Sequence, residues 1–147
     1  MTAAALLAFT VAVGVAALVG GLAAATSALY TRPSWAPPGE LFGPVWTVLY
    51  VLIAVSAWLV WRRGGFATPA HLVWCAQLVL NAGWTPLFFA AGLVEVAFFE
   101  LLALWATIAA TIVLFARIDR IAAWLLAPYL AWVTFAGALN LAIWVLN

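Results

Sequence analysis

The chain has 147 residues, of which 70% are hydrophobic and 6% charged, and its formal net charge is +1. A soluble domain needs a charged shell that this composition cannot build, and five basic residues leave no electrostatic footprint for nucleic acid. The composition defines an all-α integral membrane protein.

The runs 1–31, 41–61, 64–94 and 121–147 contain no Asp, Glu, Lys or Arg, and 94–116 carries acids only at Glu95 and Glu100. A spanning helix needs about 20 apolar residues. The pattern predicts a bundle of five transmembrane helices in a single domain over 1–147, at about 3–26, 43–62, 69–90, 94–116 and 121–146. A membrane barrel would need short segments of alternating polarity, and none occur.

The first run has no basic side chain ahead of it and exceeds a secretory apolar region, so it reads as a retained helix. Arg62, Arg63, Arg117 and Arg120 fall in the loops on the side of the N-terminus, against Arg32 alone on the other. By the positive-inside rule the N-terminus is cytoplasmic, in a bacterial or archaeal cell membrane. The loop of about 30–42 leads into "PSWAPPGELFGPVW", whose prolines suit either a stiff linker or a fixed support for Trp35. Pro44 fits a first helical turn, and Trp46 and Tyr50 follow it four residues apart.

In the third helix His71 precedes Cys75, the lone cysteine, by four residues. The pair reads as an interfacial histidine beside a small buried thiol, since no third metal ligand accompanies them. Further on, "QLVLNAGWTPLFF" sets Gln77, Asn81 and Trp84 on one face, suited to interhelical hydrogen bonding or to a pocket wall. Pro86 breaks the helical ladder there. The fourth helix places Glu100 about a turn and a half inside, with Leu104, Thr107 and Thr111 continuing its face. An ionisable group at that depth requires a partner, a cavity or a ligand.

The fifth helix repeats the design. Pro128 opens the ladder at Trp124, Trp132 and Ala136 share a face, and Asn140 lies one turn further on. Ten tryptophans exceed the needs of two interfacial belts, to which Trp58, Trp61, Trp74 and Trp124 are assigned by their nearness to helix ends. Ala17 to Gly21 and Ala106 to Ala110 have spacings that permit helix pairing. No Ser-His-Asp set, paired carboxylates or phosphate-binding glycine loop is present, which removes conventional hydrolysis and nucleotide chemistry.

"RPSWAPPGELFGPVWTVLY", "QLVLNAGWTPLFF" and "AAWLLAPYLAWVTFAGALN" resemble the three characteristic segments of the TspO/MBR family, the tryptophan-rich sensory proteins that include the translocator protein. The resemblance runs from about Arg32 to the C-terminus. It implies a five-helix homodimer with a ligand pocket in each bundle, capped by the first loop. It also implies binding of porphyrins such as protoporphyrin IX and of synthetic isoquinoline carboxamides, the tetrapyrrole being ligand or substrate, with no resident cofactor or metal.

Carried over by motif position, Trp35 belongs to the lid, while Trp46, Tyr50, Asn81, Trp84, Glu100, Trp132, Ala136 and Leu139 line the pocket. Asn140, one turn beyond Ala136, joins them. Trp46 and Trp132 match tryptophans implicated in light-driven porphyrin degradation, which makes them the catalytic candidates if that reaction occurs. Glu100 stands where Asp is usual. Thr26 and Ser27 replace an aromatic pair before the loop, and Leu141 and Val145 replace the Tyr and Arg of the sterol pattern, which argues against cholesterol. Three functions follow as expectations: a tetrapyrrole binder for sensing, sequestration or transport; a light-dependent porphyrin-degrading enzyme; and a structural scaffold in the bilayer.

Overall fold

The computed structural model describes residues 2–24, 30–65 and 69–147. Six α-helices follow in order: α1 (Thr2–Ala24), α2 (Phe42–Gly64), α3 (Pro69–Thr85), α4 (Val94–Ala116), α5 (Arg120–Leu125) and α6 (Ala127–Leu146). The described residues contain no strand. They form five stretches long and apolar enough to cross a membrane, Ala3–Ala24, Gly39–Gly64, Pro69–Ala90, Val94–Ala116 and Arg120–Leu146. The end of the first predicted helix, with Thr26 and Ser27, lies outside the described residues.

Burial on α1 follows the helical repeat. Ala5, Phe9, Val13 and Ala16 turn inward, while Leu7, Val11, Val15, Leu18 and Leu22 stay exposed. Such an apolar outer face is at home in hydrocarbon, where the backbone satisfies its own hydrogen bonds. Around the bundle α1 packs on α2 and α3, α3 on α4, and α4 on α6. The seam between α2 and α6 is sparse. At Gly137 a Cβ would come within 3.2 Å of Leu101 Cδ2, so the missing side chain lets α6 approach α4 closely.

Prolines shape both helices that carry the polar residues. Without a donor at Pro86 the α3 ladder widens into a π turn over Pro86–Ala90, where the Ala91 N–H bonds to the Pro86 carbonyl at 2.9 Å. Gly92, at φ +68°, then redirects the chain into α4. The last predicted helix is two. At Leu126 the ladder tightens, its N–H bonding to Ala123 at 3.1 Å, and α6 restarts so that Pro128 falls in a first turn where its missing N–H is tolerated.

Three side-chain assignments differ from expectation. Trp74 is not a belt residue: it is 2% exposed, its indole N–H reaches the Ile53 carbonyl at 3.3 Å, and its ring meets Phe9 edge-on. His71 lies on the same buried face, stacked on Phe9 with Nε2 3.2 Å from the Ala57 carbonyl oxygen. Cys75, one residue past Trp74 and so about 100° around the helix, is exposed rather than buried. Nearness to a helix end fixes depth, and rotation about the axis fixes burial. Trp124, by contrast, is 77% exposed.

Candidate functional site

The polar residues of α3 and α6 meet in the bundle interior, where they form two assemblies. In the first, the Tyr50 hydroxyl donates to Asn81 Oδ1 at 3.0 Å, Asn81 Nδ2 donates to the Tyr129 hydroxyl at 3.0 Å, and Tyr129 donates to Gln77 Oε1 at 2.9 Å. This chain ties α2, α3 and α6 together. Trp46 stacks on Tyr50 at 5.2 Å between ring centroids and meets Tyr129 edge-on at 6.1 Å. In the second, the Trp84 indole donates to Asn140 Oδ1 at 3.1 Å and Asn140 Nδ2 donates to the Val94 carbonyl at 2.9 Å, fastening the start of α4. Trp84 also stacks on Phe88 at 5.0 Å.

Other buried polar atoms are left without hydrogen-bond partners among the described residues: both Glu100 carboxyl oxygens, Trp132 Nε1 and Gln77 Nε2. Glu100 lies over α3 where Gly83 has no side chain; a Cβ there would stand 3.7 Å from Oε1. Trp132 packs between Phe42 and Phe135, each at 5.5 Å. It also lines an apolar groove of about 630 Å³ in the open seam between α2 and α6, with Pro44, Val48 and Phe135. Ala136 and Leu139 are buried on the same helix. The structure thus brings most of the predicted residues into one interior, and divides them between spent and unspent polar groups.

The first loop closes this end of the bundle. The Tyr30 hydroxyl donates to the Phe88 carbonyl at 2.9 Å, and Thr31 exchanges hydrogen bonds with the Asn147 side chain. Arg32 donates to the Pro37 carbonyl at 2.7 Å, bracing the proline segment. A 3₁₀ turn over Gly39–Leu41 then feeds α2. Trp35 is 50% exposed and touches Phe135 edge-on at 6.0 Å, which sets it beside the groove rather than among Asn81 and Glu100.

Sequence reasoning passed over Tyr129, the hub of the first chain, and the phenylalanines 42, 88 and 135 that flank the tryptophans. A signal for Tyr129 was present: it lies seven residues before Ala136 and eleven before Asn140, the spacing of one helix face. Its hydroxyl, immersed in an apolar run, needed a partner.

Fold and side chains together define a polytopic helical membrane protein whose interior gathers aromatic and polar residues. The chain belongs to the TspO/MBR family, whose model matches residues 5–145. It is 38% identical to Protein CrtK of Rhodobacter capsulatus over 79% of this chain and 74% of that one. It is 40% identical to the human Translocator protein over 77% of this chain and 69% of that one. With the Tryptophan-rich protein TspO of Chlorobaculum tepidum it shares 39% identity over 79% of this chain and 75% of the relative.

Proposed function

We propose that this protein binds tetrapyrroles such as protoporphyrin IX within the bundle, in a sensory or transport role of the kind the names of its relatives express. One observation carries the reading. Among the described residues Glu100, Trp132 and Gln77 keep buried polar atoms without partners, Trp132 beside the rings of Phe42 and Phe135, where a buried polar group calls for a partner. A flat macrocycle stacks on indole and phenyl faces. Its propionates accept hydrogen bonds, which suits the Trp132 N–H and the Gln77 amide. The same flat, apolar chemistry suits isoquinoline carboxamides.

Trp35 acts as a lid in this reading, Trp46 supplies an aromatic wall, and Tyr50, Asn81, Trp84 and Asn140 hold the wall in shape. Assembly as a homodimer and a cytoplasmic N-terminus complete the proposal, the latter supported by four of the five arginines lying at the α1 N-terminal end. Titration of protoporphyrin IX into purified protein in the dark, followed by tryptophan quenching, is expected to saturate in the wild type. Trp46→Ala combined with Trp132→Ala is expected to abolish saturation, and unchanged affinity in that variant would remove the site assignment. Spectra taken in the light separate binding from conversion: a bilin-like product that disappears in Trp46→Phe or Trp132→Phe would make the protein an enzyme.

A further inference from the structure

At the end of the bundle opposite the Trp35 loop, the α2 terminus and the α4–α5 connection enclose a cleft of about 570 Å³. Its polar lining comes from Arg63, Arg117, Asp119 and Arg120. Asp119 is 3% exposed and its oxygens are committed: Oδ1 accepts the Ile121 and Ala122 N–H groups at 2.8 and 3.2 Å, and Oδ2 pairs with Arg63 Nε at 2.9 Å. The carboxylate therefore fixes Arg63 through its Nε, while the Arg63 side chain as a whole stays exposed. Arg117 and Arg120 are exposed and form no ion pair among the described residues. Three arginines thus line one cleft in which Asp119 is the acidic residue.

The cleft also sits at a defined depth. It opens where the apolar stretches Gly39–Gly64 and Val94–Ala116 end and the last one begins. Near it Arg62 lies over the Trp58 ring at 4.8 Å, and Trp124 is turned outward, as aromatic anchors are at headgroup level. Guanidinium forks match phosphate oxygens in a bidentate way, and basic pockets between helix ends suit anionic headgroups. The positive-inside rule accounts for the side on which these arginines lie. It does not account for the lining of one cleft by arginines from the α2 end and the α4–α5 junction, with Arg63 held on a buried aspartate.

We infer that this cleft binds the phosphodiester headgroup of an anionic phospholipid, an assignment separate from the porphyrin reading. Native mass spectrometry of the full chain in detergent tests it, with dioleoyl-phosphatidylglycerol and dioleoyl-phosphatidylcholine as competing probes. The wild type is expected to retain phosphatidylglycerol preferentially, and Arg117→Gln with Arg120→Gln to reduce that preference about tenfold, from the attraction an anionic headgroup has for two basic groups. Arg32→Gln, at the other end, is expected to leave it intact, and Arg117→Lys with Arg120→Lys, which keeps the charge and loses the bidentate fork, to fall between wild type and the double Gln variant. Helix content by circular dichroism verifies that each variant is folded. Equal retention of the two lipids by wild type, or the same preference in the double Gln variant, would overturn the inference. So would displacement of the lipid by equimolar inorganic phosphate, which would make the cleft a site for free anions.

Discussion

Two sets of polar groups lie inside the same bundle and have opposite states. Along Tyr50, Asn81, Tyr129 and Gln77 nearly every donor finds an acceptor, and only Gln77 Nε2 is left over. At Glu100 and Trp132 both carboxyl oxygens and the indole N–H are without partners among the described residues. Intramembrane polarity therefore has two meanings here. Groups that satisfy one another hold helices together, and groups that do not are the ones a ligand can engage. Asn81 and Trp84, singled out together with Glu100 in the sequence, belong first to the holding set.

The contrast is broken most severely at its hub. Tyr129→Ala removes a fully buried ring and strands both Asn81 and Gln77; we expect a loss of about 3 to 5 kcal/mol, read as a lowered unfolding midpoint in detergent. Asn81→Leu keeps the volume but strands the Tyr50 and Tyr129 hydroxyls. It should cost about 1 to 3 kcal/mol by the same assay, and a midpoint equal to wild type would deny the chain its holding role. Gly83→Leu tests the other set without removing a polar atom: the new side chain fills the space beneath Glu100, so porphyrin affinity should fall several-fold. The smallest effect belongs to the loop. Trp35→Ala loses one edge contact with Phe135 and should speed porphyrin release about threefold in stopped-flow quenching, with little change in stability.

The number of spanning stretches was legible because uncharged runs of spanning length have few alternatives in a membrane protein. Local chain geometry was less so. Pro86 and Pro128 announced breaks, yet whether a ladder widens, as at Pro86–Ala90, or tightens and restarts, as at Leu126, depends on what the flanking turns pack against. Burial of tryptophans was legible by depth and not by rotation, which is why Trp74 and Trp124 part company. Motif positions named residues that meet in the bundle interior, but their division into bonded and unbonded groups could not be read. Which amide bonds to which hydroxyl is decided by helix crossing points, and Tyr129, the residue that closes the chain, sits on a helix whose neighbours come from elsewhere in sequence.

The most direct test of the difference between the two sets is Trp132→Phe. This change keeps an aromatic ring beside Phe42 and Phe135 and deletes the unspent N–H together with one edge of the indole. With protoporphyrin IX titrated in the dark, we expect affinity to fall about tenfold through loss of a hydrogen bond to a charged propionate, while the unfolding midpoint falls only slightly, through the lost ring edge. Unchanged affinity, or an affinity loss matched by a lowered midpoint, would contradict the account, because Trp132 would then belong with the groups that merely hold the bundle together.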